Sequence, residues 1–453
     1  MNSQNSLDFR ANAAGAIKDG SLRKAMRQAT DTFGSRRSVA MESVDFSALR
    51  EKASAIRMEV LDNLPAYIES FTTRATKAGA SVHRAADAES ANRIIADILK
   101  SNNVKMVAKG KSMVSEEIHL NAHLEKEGFE VVETDLGEYI IQLEGETPSH
   151  IIVPAIHKNR RQVGRLFADR LGVDYSEDPQ VLTKIARKVL REKFLAADAG
   201  ISGANFAIAE SGSLVLFTNE GNGRMVTSVP PLHIAILSIE KILPSLTDLP
   251  TFIRLLPRSA TGQMITSYVS ILTGNRKADD ATGARELHIV LLDNGRSGIL
   301  GGDCREILKC IRCGACMNVC PVYRTVGGHA YGWTYPGPMG IILTTLLTGM
   351  ARSHPLVDAS TLCGACNDAC PVKVPLQEMI LKQRISRISE GFSPPAVSMG
   401  MRLFGVAVKS PLLFSTGEKL AGRFWSVIRS VGGENVTGRL PRAAKLPFSR
   451  RLP

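Results

Sequence analysis

Aromatic residues are scarce in this chain: Phe, Trp and Tyr make up 5% of its 453 residues, with two tryptophans. Basic clusters occur at Lys158–Arg161, Arg439–Lys445 and Arg450–Arg451. No nucleic-acid-binding motif accompanies them, so no nucleic-acid partner is expected. The net charge of +12 points instead to docking on an acidic partner or an anionic membrane surface. Long apolar runs are missing as well. The longest weakly polar stretch, Gly337 to Met350, is too short to span a bilayer. The opening residues have no apolar core, so no export signal is expected and the cytoplasm is the expected compartment. A strand-linked G-x-G-x-x-G is also missing, which argues against a nicotinamide or flavin cofactor of the chain's own. Otherwise the composition, 44% hydrophobic and 22% charged, is that of an ordinary globular protein.

Cysteine is used sparingly but in one place. Seven of the eight cysteines lie in two runs, C-I-R-C-G-A-C-M-N-V-C-P at 310–321 and C-G-A-C-N-D-A-C-P at 363–371. The first is the C-x2-C-x2-C-x3-C-P run of bacterial ferredoxins. The second lacks only its first cysteine, because Ser360 stands there. Three thiolates at this spacing wind a tight loop round one cubane, and small residues such as Gly314 and Ala315 let backbone amides approach its sulfides. In two-cluster ferredoxins the fourth cysteine of each run serves the other cluster. Cluster 1 is therefore expected on Cys310, Cys313, Cys316 and Cys370, and cluster 2 on Cys320, Cys363 and Cys366. For the missing eighth ligand three solutions stay open: Cys304, a non-cysteine group such as water or a partner residue, or a [3Fe–4S] centre. Zinc sites use separated ligand pairs, and disulfides belong to exported proteins, so neither explains the runs.

The length suggests two to three domains. Residues 1–64 read as a helical extension, of which 1–45 would fold only against something else. Leu49, Ile56, Val60, Leu64 and Ile68 recur at helical spacing, and Ser90–Leu99 is a further helix. Residues 65–297 alternate short apolar strands with helices, an α/β domain. Expected strands include Val104–Lys109, Phe129–Thr134, Tyr139–Leu143 and His150–Pro154. Expected helices are Ser115–Glu127, Gln162–Leu171 and Val181–Ala197. Phe206–Glu210 and Ser213–Thr218 read as a hairpin, followed by buried strands at His233–Ile239 and Leu287–Asp293. Residues 298–384 form a ferredoxin-like domain with a long insert between its cysteine runs, and 385–453 a basic C-terminal region with short helices at 400–408 and 422–430.

Several phrases of the α/β region are distinctive: K-G-K-S-M, T-D-L-G-E-Y-I-I-Q-L, P-S-H-I-I-V-P-A-I-H-K, N-F-A-I-A-E-S-G-S-L-V-L-F-T-N-E-G-N-G-R, L-P-R-S-A-T-G-Q and L-L-D-N-G-R-S. With both cysteine runs in register, the chain from about residue 50 onward resembles the lactate utilization protein B family, the iron–sulfur subunit of a three-protein L-lactate oxidation system. The resemblance implies an α/β fold like that of sugar-phosphate isomerases and coenzyme A transferases. It implies two iron–sulfur clusters, most simply [4Fe–4S], and two partners: a cysteine-rich-domain protein and a second protein bearing the same α/β domain. Electrons would leave toward a quinone or other acceptor. It also implies that serine at position 360 is the family's own pattern.

Within the α/β domain, Lys109, Lys111 and Ser112 lie between a strand and a helix, and Glu220, Gly221, Gly223 and Arg224 lie in a Gly-rich loop. Both fit an anion site, and both also fit plain capping and turn roles. His150, His157 and His233 flank strands, where histidines more often serve structure than chemistry. Glu210 could stand in for the carboxylate of a coenzyme A transferase. An electron-transfer subunit is the leading reading. An acyl- or sugar-phosphate-type enzyme with structural clusters, or a redox-sensing scaffold, are the alternatives.

Overall fold

A computed structural model describes residues 7–280, 282–393, 395–414 and 416–417. The chain divides into two units, 1–384 and 385–453.

The first unit is built on a six-stranded parallel sheet. Its strands are β1 (Ser81–Ala85), β2 (Met106–Lys109), β3 (Glu130–Glu133), β4 (Ala199–Gly203), β7 (Leu232–Ser238) and β10 (Glu286–Leu292), in the order β1-β10-β7-β4-β2-β3. All seven residues of β7 are buried. A continuous apolar strand of that kind needs both faces of the sheet covered, as parallel sheets have. The central strand β4, A-G-I-S-G, is a poor strand former, and close packing explains its composition. A Cβ on Gly200 would lie 2.0 Å from the carbonyl oxygen of Val226 in the helix Asn222–Ser228. A second sheet joins β5 (Phe206–Ile208), β6 (Ser213–Thr218), β8 (Ile242–Leu243) and β9 (Tyr268–Leu272) in the order β8-β5-β6-β9, with the expected antiparallel β5–β6 hairpin. It packs on the helix Leu249–Thr261, where the rings of Phe206 and Phe252 are 4.9 Å apart.

Three local expectations are corrected. Tyr139–Leu143 is not a strand: it lies inside the helix Leu136–Glu144. A short apolar run does not distinguish helix from strand; the punctuation decides here. Asp135 accepts from the Glu138 amide at the start, and Gly145 closes the end at φ 73°. His150–Pro154 is a turn. His150 Nδ1 accepts from the amides of Ile152 and Val153 at 2.9 and 3.0 Å, replacing ladder partners. The helix expected over Ser115–Glu127 breaks into Met113–Glu117 and Leu120–Lys126, with His119 at φ 53° between them.

The N-terminal segment does find something to fold against, within the same chain. Asp8 and Asp19 cap the helices Phe9–Lys18 and Gly20–Glu42. Phe9 meets the Tyr331 ring at 5.3 Å, Asn12 donates to the Ala330 carbonyl, and Arg324 donates to Thr30 Oγ1 at 3.0 Å. The insert between the cysteine runs carries the helix Gly337–Thr348, whose residues Gly337 to Thr345 are all buried. Among the described residues no helix is long and apolar enough to cross a membrane.

In the second unit the expected helix at 400–408 overlaps the longer helix Pro395–Ala407, which starts earlier and ends one residue sooner. Met399, Met401, Leu403, Phe404 and Val406 are exposed there. The helix expected at 422–430 and the basic clusters at 439–451 lie outside the described residues.

Candidate metal centre

The two cysteine runs fold as copies of one another. Each has a residue of positive φ before its C-G-A-C segment, Arg312 at 58° and Leu362 at 56°. Each then has a left-handed glycine, Gly314 at 79° and Gly364 at 84°, opening the short helices Ala315–Val319 and Ala365–Ala369. Glycine is needed at these two positions because the chain must reverse tightly to present the next sulfur. The helices end on Cys320 and Cys370 in matching extended conformations, ψ 118° and 119°. The two helices pack against each other, so each run's last cysteine is carried toward the other run.

The result is visible in a pocket lined by Cys310, Cys313, Cys316 and Cys370 with Ile151, Met339 and Val372. Three of these thiols come from the first run and one from the second, the set expected for cluster 1. Burial pushes the Cys313, Cys316 and Cys370 thiols up, and the neighbouring cysteine sulfurs push them further. Thiols crowded in an apolar pocket repel one another as thiolates, and a multiply charged iron core is what such a donor set accommodates. Backbone amides point at the sulfurs: Arg312 N at 3.4 Å from Cys310 Sγ and Val374 N at 3.3 Å from Cys370 Sγ. The second group forms on the same pair of packed runs. Burial, then Cys320, raises the Cys366 thiol to about 12, and Cys363 lies within electrostatic reach of both. Cys363 is exposed, and the Ala365 amide followed by the Thr361 hydroxyl lowers its pKa. Cys304 does not line that pocket. It is buried against Gln383, whose Nε2 lies 3.7 Å from its sulfur, and the charges acting on it are those of Lys382 and Asp303.

Arginines ring this centre. Arg37 donates to the Ala369 carbonyl at 3.1 Å and Arg50 to the Asn367 carbonyl at 2.9 Å. Both come from helices of the N-terminal extension, Gly20–Glu42 and Phe46–Asp62, and carry no motif that would have singled them out. Arg312 pairs with Glu240 at 3.1 Å, and Glu240 meets Arg296 at 3.0 Å. Arg296 in turn holds Glu117 at 2.6 Å, and the Tyr335 hydroxyl donates to the same carboxylate at 2.6 Å. Burial alone would raise the Glu240 carboxyl, but Arg296 and then Arg312 hold it down to about 2. This buried chain of charges joins the end of β7 to the loop of Cys310.

The anion-site candidates each have partners within the chain. Lys109, fully buried at the end of β2, is held by Glu133 at 2.6 Å and Glu116 at 3.1 Å. The neighbouring Glu138, which sequence reasoning overlooked, has its carboxyl pushed well above the usual range by burial and then by Glu133. Lys111 donates to the Ile152 carbonyl and lies within electrostatic reach of Glu220. Burial, then Asp135, raises the Glu220 carboxyl. Ser112 caps its helix by accepting from Ser115 N. Gly221 precedes the helix Asn222–Ser228, and Gly223 presses on Thr218, where a Cβ would come within 2.7 Å. Arg224 stacks over the Tyr268 ring at 5.5 Å. Glu210 accepts from the Leu246 amide at 3.1 Å, on the surface.

The histidines serve as joints. His150 Nε2 faces Asn318 Oδ1 at 3.3 Å, beside the first run. His157 bonds Glu146 and Ser149, each at 2.7 Å, and His329 of the insert donates to the Thr147 carbonyl. Ligand atoms of Glu146, His157 and His329 lie within 4.8 Å of one another, but Lys158 already neutralises Glu146 at 2.6 Å. His233 is buried against Ser202 Oγ at 2.8 Å, and burial lowers it from 6.5 to about 4. The folded chain thus resists protonation that the unfolded chain accepts near 6.5. Its contribution is whole above about pH 6.5 and is lost as pH falls toward about 4. At about pH 5 the loss should be about 2 kcal/mol. A His233→Gln variant should flatten that part of the pH dependence in urea melts. Equal slopes for parent and variant would refute the assignment.

Comparison with known proteins follows the same division. The LUD domain family matches residues 68–292 and the 4Fe-4S dicluster domain family residues 306–374. The protein named lactate utilization protein B from Bacillus velezensis is 45% identical over 416 residues, 91% of this chain and 87% of its own. That from Bacillus subtilis is 45% identical with the same coverage. That from Shouchella clausii is 46% identical over 406 residues, 89% of this chain and 86% of its own. A crystal structure of a DUF162 family protein from Deinococcus radiodurans covers 51% of this chain and 98% of its own, at 15% identity and TM-score 0.29, too slight a likeness to carry weight.

Proposed function

The chain belongs to the lactate utilization protein B family, and we propose that it works there as the electron-carrying subunit of an L-lactate-oxidising assembly. The observation that carries this reading is the pairing of two sulfur groups. Cys310, Cys313, Cys316 and Cys370 share one pocket, and Cys320, Cys363 and Cys366 lie within electrostatic reach of one another on the same pair of packed runs. Each bound iron–sulfur cluster supplies one-electron exchange. Oxidation of lactate to pyruvate releases two electrons and two protons, so two adjacent one-electron centres match the need. The chain's own residues supply the environment. Arg37, Arg50 and Arg312 place positive charge round the first group and offset the negative charge of its thiolates. The packing of Ile151, Met339 and Val372 keeps water from it. Cys363, at the surface, offers the route by which electrons enter or leave.

In this reading lactate is oxidised with a cysteine-rich-domain protein and a second protein bearing the same α/β domain. The acceptor is a quinone or an equivalent carrier, and the setting is the cytoplasm or the inner face of the membrane. The test is anaerobic mixing of the cluster-loaded chain with lactate, with and without the two partners, followed by electron paramagnetic resonance. Cluster reduction should require the partners. Pyruvate formation with both clusters staying oxidised would sink the proposal.

A further inference from the structure

We propose that the hydroxyl oxygen of Ser360 is the fourth protein ligand of the second cluster. The inference rests on the two-cluster reading above and deepens it. The two runs are copies in backbone as well as in sequence: Arg312 matches Leu362, Gly314 matches Gly364 and Cys320 matches Cys370 in conformation. By that correspondence Ser360, three residues before Cys363, takes the place of Cys310, three residues before Cys313. The correspondence reaches the side chain. Cys310 Sγ receives the amide two residues on, Arg312 N, at 3.4 Å. Ser360 Oγ receives the amide two residues on, Leu362 N, at 3.1 Å. The second copy therefore aims an oxygen along the path by which the first aims a ligating sulfur. An oxygen that accepts one N–H keeps a second lone pair for a metal.

The backbone at Ser360 is also anchored. Its carbonyl accepts from Arg384 at 2.6 Å, and Arg384 is braced in turn on the Val357 carbonyl at 2.8 Å. The competing thiol already has a partner of its own. Cys304 is buried against Gln383 and faces Lys382 and Asp303. Metal binding at Ser360 forms an Fe–O bond and breaks the O–H bond. The proton leaves to solvent, which reaches this half-buried residue, and no electron moves. A hard oxygen donor in place of thiolate favours ferric iron and so lowers the potential of the cluster it serves.

Ser360→Ala and Ser360→Cys, each in the full chain and loaded anaerobically, test this through iron content, electron paramagnetic resonance and redox titration. The parent should hold about eight irons, four per cubane. Ser360→Ala should lose one iron from the second cluster and show a [3Fe–4S] signal. Ser360→Cys should keep every iron and move the midpoint of the second cluster upward, leaving the first unchanged. A Ser360→Ala protein with the parent's iron content and spectrum would overturn the inference, as would iron loss in a Cys304→Ser variant. If Ser360→Ala does not fold, a Ser360→Cys protein with an unshifted midpoint overturns it as well. A parent holding a single cluster would bring down the two-cluster reading and this inference with it.

Discussion

Alanine at Cys370 is expected to empty the cluster served by the other run and to spare the one beside its own neighbours, Cys363 and Cys366. The chain should lose about half of its iron, the share of one cubane in two. The reason is the crossing of the two short helices. Cys370 shares its pocket with Cys310, Cys313 and Cys316 and lies there with Val372 and Val374. Cys320, at the end of the first run, instead lies within electrostatic reach of Cys363 and Cys366. Cys320→Ala should accordingly leave the first cluster and remove the second. Iron assay with electron paramagnetic resonance on the two variants reads this directly. If Cys370→Ala and Cys363→Ala removed the same cluster, the crossed arrangement would be wrong.

The second large effect concerns stability. Arg57, 1% exposed on the helix Phe46–Asp62, donates to four carbonyls: Ile242 at 2.8 Å, Leu308 at 2.9 Å, Lys309 at 3.2 Å, and Glu240. Burial draws its guanidinium down to about 10, against the support of Glu240, so it stays charged at neutral pH. One side chain thus ties the N-terminal extension, the edge of the second sheet and the approach to the first cysteine run. Arg57→Met keeps the volume but strands all four oxygens. Buried groups left unpaired cost about 1–3 kcal/mol each, and relaxation recovers part of that. A loss of about 3 kcal/mol or more is expected, read as a lower urea midpoint at unchanged slope. A midpoint equal to the parent's would refute this role.

The chemistry was legible because thiolate spacing is a local property: the two cysteine runs declare themselves without any knowledge of the fold. Apolar runs likewise announced β7, β10 and the β5–β6 hairpin. The family phrases point to the same family as the relatives that are 45% identical. What stayed hidden depends on contacts between distant residues. Arg37 and Arg50 look like ordinary surface charge on amphipathic helices until those helices lie against Ala369 and Asn367. Tyr139–Leu143 has the composition of a strand, and only Asp135 and Gly145 at its ends make it a helix. The turn at His150–Pro154 depends on a ring nitrogen replacing backbone partners, which no hydrophobic period records. Ser360 reads in the sequence as a gap, and its matching amide contact appears only once both runs are folded.

The contact between Arg37 and Ala369 spans 332 positions of the chain. During synthesis the helix Gly20–Glu42 leaves the ribosome long before the segment that will cover it. It must wait, with Met26 and Thr30 uncovered, until both cysteine runs have emerged. Contacts so distant in sequence form late and slowly. Iron and sulfide therefore have a window for delivery, after the second run appears and before the N-terminal helices close over it. Beyond that window Arg37 and Arg50 already hold the carbonyls of Ala369 and Asn367, so a chain that folds without its clusters should load more slowly than one that acquires them as it folds.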